Sequence, residues 1–301
     1  MRFATFELKG LQRIGFISND DARIIDLEKV LTSKGSTIGI PKTLLEAIDF
    51  GEAFIHEVRS SIEWLGQRNI ADYSFLFSDQ EVKLVAPIPR PKKNIFCVGK
   101  NYAAHAIEMG SEKDIPEHLL MFTKAPTAVI GPEEYVLNHA HLTNELDYEG
   151  EIAIIIGKKG KAIKEEEALD YIFGYTLLND ITARDLQKKH KQFFLGKSLD
   201  TTCPIGPWIT HSSVIKDKEL KIETRVNGEL RQQGSTDQMI FSIPTILSVI
   251  SQGMTLEPGD IIATGTPSGV GSGFNPPKYL KSGDCIEVIV DELGVLKNVI
   301  K

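Results

Sequence analysis

The segment Leu146-Asp147-Tyr148-Glu149-Gly150-Glu151-Ile152-Ala153-Ile154 carries the residues best suited to chemistry. Side chains alternate along a strand, so Glu149 and Glu151 share one face while Ile152, Ile154 and Ile156 share the other. Two carboxylates side by side repel each other, and at the head of an apolar strand this costs stability unless a cation sits between them. Hard divalent ions such as Mg²⁺ or Mn²⁺ favour carboxylate oxygens. Asp180 ends a second apolar run, YIFGYTLLND (171–180), and is the candidate third ligand. The structural alternative is a pair of exposed strand-edge glutamates, with Asp180 as a turn or helix-capping residue. Spacing alone leaves these two readings even.

The elements that must position such a site read mainly as strands. NIFCVG (94–99) is a short apolar strand ended by glycine, and GEIAIIIG (150–157) is a second. YAAHAIEMG (102–110) predicts a short helix stopped by Gly110. Thr182-Ala183-Arg184-Asp185 predicts a helix start with Thr182 as its cap. KIETRVNGELRQQG (221–234) predicts a hairpin around Asn227-Gly228. SIPTILSVISQ (242–252) predicts a helix capped by Ser242, and PGDIIATG (258–265) and SGDCIEVIV (282–290) predict two more strands. Near the N-terminus RFATFEL, RIGFIS and ARIIDLEKVL predict strands, separated by the turn residues Lys9-Gly10 and Asn19-Asp20-Asp21. A helical pattern covers residues 41–66, with Pro41 in its first turn. Pro87, Pro89 and Pro91 then force an extended path. A boundary near residue 88 follows, with a small N-terminal α+β domain at 1–88 and a larger domain at 89–301. Strands outnumber helices after residue 90 without regular βαβ alternation, so the fold class is α+β, mainly β, and not a Rossmann fold.

Composition bounds the rest. The chain has 301 residues, 42% hydrophobic and 25% charged, enough apolar matter for a sizeable core. Its net charge of −7 argues against a general nucleic-acid binder. Cys97, Cys203 and Cys285 are far apart and odd in number, which points to a reduced, cytoplasmic protein. The aliphatic run Ile152 to Ile156 is far short of the roughly 20 apolar residues that cross a bilayer, and the N-terminus has no apolar signal core, so no membrane insertion is expected.

Five segments, in order, resemble the fumarylacetoacetate hydrolase family: NIFCVGKNYAAHAIEMG (94–110), ELDYEGEIAIIIG (145–157), LLNDITARDLQ (177–187), GKSLDTTCPIGPW (196–208), and PGDIIATGTPSGVG (258–271) with SGDCIEVIVDELGVLKN (282–298). The resemblance implies a catalytic domain of rolled, mixed or antiparallel sheets around a metal site, a smaller N-terminal domain, and a homodimer. It implies Mg²⁺ or Mn²⁺ held by Glu149, Glu151 and Asp180, and a small 2-oxo acid substrate. His105 and Glu108 match a His-Glu pair on a lid helix; at i, i+3 they share one helix face. Lys197 matches a substrate-contacting lysine. Arg184 and Gln187 match positions that help hold the metal shell and the substrate, and Thr266, in TGTPSG, sits in a loop whose glycines let backbone and hydroxyl approach a substrate carboxylate. A small, polar substrate also suits the basic set Lys100, Arg184 and Lys197.

The expected chemistry follows from that site. A metal acting as a Lewis acid stabilises the charge that builds when a bond beyond C3 of a 2-oxo acid breaks. The leading expectation is an oxaloacetate decarboxylase. An acylpyruvate hydrolase, in which His105 and Glu108 activate water, is the alternative enzyme. A non-catalytic metabolite-binding protein is a third reading, disfavoured by the presence of His105, Glu108 and Lys197.

Overall fold

Turn chemistry organises the N-terminal segment. The computed structural model describes residues 1–17, 23–36, 38–68, 75–78, 81–216 and 218–301. Strands β1 (Arg2–Leu8) and β2 (Leu11–Ile17) form a hairpin around Lys9 and Gly10, both at positive φ. The Asn19-Asp20-Asp21 turn lies outside the described residues. ARIIDLEKVL is not one strand. Only β3 (Ile24–Asp26) pairs with β2, and helix α1 (Leu27–Lys34) begins at once. Leu27, Val30 and Leu31 are buried at helical spacing, and the Asp26 carboxylate accepts the Lys29 N–H as a cap. The stretch 41–66 is likewise two helices, α2 (Leu44–Asp49) and α3 (Glu52–Gly66). Thr43, not Pro41, caps α2, and Gly51 at φ +56° turns the chain between them.

After the proline segment the chain forms β4 (Ile95–Gly99), α4 (Ala103–Glu108), β5 (Leu120–Lys124), β6 (Gly150–Ile156) and β7 (Ile172–Asn179). Helices α5 (Arg184–His190) and α6 (Phe194–Lys197) and strand β8 (Cys203–His211) follow. The expected cap at Thr182 is replaced by strand pairing: Thr182–Ala183 bridges Leu146–Asp147, the Thr182 hydroxyl donates to the Asp180 carbonyl, and α5 starts at Arg184 without a side-chain cap. The hairpin β9 (Lys221–Val226) and β10 (Glu229–Ser235) turns at Asn227-Gly228, as its sequence predicts. Helix α7 (Ile243–Gly253), capped by Ser242, then leads to β11 (Ile261–Ala263), β12 (Cys285–Val290) and β13 (Gly294–Ile300).

One large mixed sheet runs in the order β3-β2-β1-β8-β7-β6-β11-β4-β5, and a second sheet in the order β10-β9-β12-β13. Most neighbours are antiparallel, while β11 and β4 are parallel. The fold is α+β and mainly β. Strand β6 is buried along its whole length. Ala153 and Ile155 pack into one core cluster, and Ile152, Ile154 and Ile156 into another on the opposite face. Cutting any one of these isoleucines to alanine removes about 2–5 kcal/mol. The N-terminal segment shares the first cluster: Phe3 on β1 packs on Phe54 of α3 and on Phe173 of β7. Strand β1 also pairs with Lys83–Val85 and, through Arg2 and Phe3, with β8.

Candidate active site

The antiparallel register of β6 and β7 builds the acidic centre. Gly150 faces Asn179, so Glu149 and Asp180 lie beside each other just beyond the two strands. The Asp180 N–H donates to the Glu149 carbonyl at 2.8 Å. Glu151 projects from the same face of β6. One carboxylate oxygen from each of Glu149, Glu151 and Asp180 lies within 4.8 Å of the others, and all three residues are at most 5% exposed. Exposed strand-edge glutamates are therefore ruled out as a description of this cluster.

Buried carboxylates need partners. Lys197 Nζ lies 2.7 Å from both Glu149 Oε2 and Asp180 Oδ2. Lys124, fully buried at the end of β5, donates to Asp180 Oδ1 at 2.7 Å and to the carbonyls of Ile181 and Lys197. Arg184 reaches Glu149 Oε1 at 2.7 Å through Nη1 and Asp147 Oδ2 at 2.9 Å through Nε. Glu151 is different. Its Oε2 accepts the Gly265 N–H at 2.8 Å, and no lysine or arginine pairs with it among the described residues. Burial pushes the Glu149 carboxyl up, but Lys197 and Arg184 outweigh it and hold Glu149 at about 2. Burial, with Asp180 and Glu149 nearby, drives the Glu151 carboxyl well above its usual range. Burial opposes the charge on Lys197, yet Asp180 and Glu149 raise it, keeping the ammonium charged at neutral pH. Four carboxylates, Asp147, Glu149, Glu151 and Asp180, thus face three cations, and the deficit falls on Glu151. An all-oxygen donor set short of positive charge fits Mg²⁺ or Mn²⁺.

Above this centre, His105 and Glu108 lie on α4. His105 Nδ1 is 3.3 Å from Glu108 Oε2. The helix is not loosely held. Both Glu108 oxygens accept the Gly269 N–H, at 2.9 and 3.1 Å, and Ala106 and His105 are buried. Asn101, just before α4, donates to the Thr264 and Phe241 carbonyls and accepts the Phe241 N–H. These bonds tie the helix to the loop that follows β11 and to the segment that leads into α7.

A pocket of about 440 Å³ opens onto the centre. It is lined by His105, Glu149, Glu151, Arg184, Gln187, Lys197, Thr266 and Lys100, along with Phe122 and Phe193. Glu108 and Asp180 are not among its lining residues: Glu108 faces Gly269, and Asp180 sits beneath Lys197 and Lys124. Two of the expected substrate contacts are already engaged. The Thr266 hydroxyl donates to the Gly150 carbonyl and accepts from Gln232, and Lys100 pairs with Asp114 at 3.1 Å. The adjacent Gly265, at φ +101°, instead brings a backbone N–H to Glu151. Gln187 lies 3.4 Å from Arg184 Nη1, while Arg184 Nη2 is buried without a hydrogen-bond partner among the described residues.

A model of the fumarylacetoacetate (FAA) hydrolase C-terminal family matches residues 94–301. The chain belongs to this family. The fumarylacetoacetate hydrolase family relatives span its full length. One, from Bacillus subtilis (strain 168) and named oxaloacetate tautomerase YisK, is 56% identical over 299 residues, covering 99% of each chain. The solved fumarylacetoacetate hydrolase from psychrophilic Exiguobacterium antarcticum is 43% identical, with a TM-score of 0.83 over 100% of this chain and 99% of that one. The maleylpyruvate hydrolase from Sphingobium sp. SYK-6 is 29% identical, with a TM-score of 0.77 over 100% and 99%. Fumarylacetoacetate hydrolase family members are enzymes, and this chain shares their fold.

Sequence reasoning missed four residues of this centre. Asp147 lies two before Glu149, on the same strand parity, so the alternation that singled out the glutamates also pointed to it. Lys124 ends an apolar strand, LMFTK, where a fully buried lysine signals a buried carboxylate partner. Gln232 accepts the Gly150 N–H and donates to Thr266 and to the Pro267 carbonyl, and Asn101 holds the base of α4; nothing in their local sequence marks either one.

Proposed function

We propose that the chain is a divalent-metal-dependent oxaloacetate tautomerase that moves a proton between C3 and the 2-oxygen. The observation that carries this reading is its 56% identity, over 99% of both chains, to the relative named an oxaloacetate tautomerase. The pocket chemistry supports it. A cation held by Glu149, Glu151 and Asp180 would supply Lewis-acid polarisation of the 2-oxo group. The charged Lys197 and the unpartnered Arg184 Nη2 provide positive groups for an anionic substrate. Glu108, itself anchored to Gly269, fixes the orientation of His105. His105 takes the C3 proton from the keto form and returns it to the 2-oxygen, so no carbon–carbon bond breaks and no proton is gained or lost.

Decarboxylation of oxaloacetate, the leading expectation from sequence, is the second reading. It uses the same polarised 2-oxo group and the same cations, with loss of the C4 carboxylate as CO₂. Hydrolysis of an acylpyruvate is the third, supported by the likeness to a maleylpyruvate hydrolase. One assay separates them. Enol-oxaloacetate is added with Mn²⁺, and the decay of the enol absorbance is followed together with CO₂ release. A second cuvette follows acid release from an acylpyruvate. Fast ketonisation with CO₂ at the uncatalysed level is expected. Enol decay no faster than without enzyme, or CO₂ or acid release well above the uncatalysed level, would overturn the tautomerase reading.

A further inference from the structure

Asp147 is fully buried, and its carboxylate is saturated. Oδ2 accepts from Arg184 Nε at 2.9 Å and from the Ser272 N–H at 3.0 Å. Oδ1 accepts the Gly271 N–H at 2.6 Å and the Tyr148 N–H at 3.0 Å. The loop it grips, Gly269–Gly273, also receives α4. The Gly269 N–H donates to Glu108, Ser272 Oγ contacts Met109 Sδ at 3.3 Å, and a Cβ on Gly273 would strike the Glu108 carboxylate at 2.2 Å. The Tyr148 hydroxyl holds the same loop from below, donating to the Gly269 carbonyl at 2.8 Å. A continuous chain of contacts therefore runs from His105 and Glu108 through Gly269–Ser272 to Asp147, then to Arg184 and Glu149. Its middle member has no exposed atom for solvent to support if one link is lost. Of its acceptor bonds, one comes from the Arg184 guanidinium and three from backbone N–H groups, so both oxygens are fully used.

We propose that Asp147 is a positioning residue that couples docking of the His105–Glu108 helix to the orientation of Arg184 at the acidic centre. The loop and the guanidinium hold one carboxylate from two sides, so a shift of that carboxylate toward either one strains its bonds to the other. Docking of α4 on the loop and the setting of the Arg184 guanidinium against Glu149 then occur together. This inference rests on the proposed reaction only for its activity readout; its structural readout stands apart.

The experiment uses the full chain with Asp147→Asn, which keeps shape but turns one acceptor oxygen into an NH₂ group facing N–H donors. Amide hydrogen exchange is measured on peptides covering 103–110, 269–273 and 150–156. Exchange over 103–110 and 269–273 is expected to rise about tenfold, with 150–156 unchanged, as for a mid-range coupling between contacting groups. Arg184→Gln leaves the loop amides on Asp147, and is expected to speed exchange over 103–110 as well; it decides the matter should Asp147→Asn fail to fold. Unchanged exchange over 103–110 in a folded variant overturns the proposal. Activity gives a second readout: Glu108→Gln and Asp147→Asn combined should lower kcat about as far as the worse single variant, with Mn²⁺ affinity kept. Fully additive losses overturn it. A wild-type enzyme without tautomerase activity would sink the functional reading while leaving the exchange result decisive.

Discussion

Four buried carboxylates against three buried cations is the central fact at the scale of single residues. Stability alone does not favour such a set, since buried ion pairs rarely repay their desolvation. Replacing Glu149 and Glu151 together by alanine is expected to abolish Mn²⁺ binding and activity. It also leaves Lys197 and Arg184 short of partners, so a modest loss of stability accompanies it. Titration calorimetry with Mn²⁺ on the folded double variant is the check, and unchanged affinity would refute the ligand assignment. His105→Ala tests a different atom. It touches none of the three carboxylates that would hold the metal, so Mn²⁺ affinity should persist while kcat falls about 10²–10⁴-fold, the usual worth of a positioned acid–base group. Normal turnover in that variant would remove His105 from the chemistry.

At the scale of elements, strand ends do the positioning, and one of them carries a pH-sensitive residue far from the acidic centre. His211 ends β8, and its Nδ1 accepts the Ser213 N–H at 3.2 Å, capping the turn of helix that follows. Its ring meets Phe3 and Phe173 edge-on. Burial, then the nearby N-terminal amine and Arg59, push its pKa down from 6.5 to about 4. The unfolded chain therefore binds a proton here that the folded chain rejects between about pH 6.5 and 4. Stability from this site is full above pH 6.5 and is lost as pH falls toward 4, with a slope of at most about 1.4 kcal/mol per pH unit. Urea unfolding at pH 7 and pH 5 should show a smaller drop for His211→Asn than for the wild type. Equal drops would mean that His211 does not control this slope.

At the scale of the whole molecule, large apolar side chains stand exposed along much of the chain, Leu11 in the N-terminal segment among them. Leu137, Leu142, Phe194 and Leu195 are each at least 42% exposed, and all lie between residues 90 and 301. Exposed apolar side chains of this kind mark association surfaces when they are contiguous, and two-fold dimers are the commonest closed assemblies. The expected outcome of light scattering on the full chain is a homodimer, weakened by Leu195→Glu. A monomer at micromolar concentration would overturn this. No described helix is long and apolar enough to cross a membrane.

By itself the sequence determined the period-two alternation that puts Glu149 and Glu151 on one face of a strand, the Asn227-Gly228 hairpin, the Ser242-capped helix and the mainly β class, because each is a local property of neighbouring residues. It also carried, through five ordered motifs, the family to which the chain belongs. Where local signals competed, tertiary structure decided. Helical spacing after Asp26 won over strand propensity, and strand pairing with Leu146–Asp147 won over a cap at Thr182. Only the folded chain brought Lys124 and Gln232 to the acidic centre and set Arg184 on Asp147, across sequence separations that no local pattern reports. Burial did the rest: with water excluded, each carboxylate had to find a cation or backbone N–H from a distant strand end, and Glu151 was left with an N–H alone.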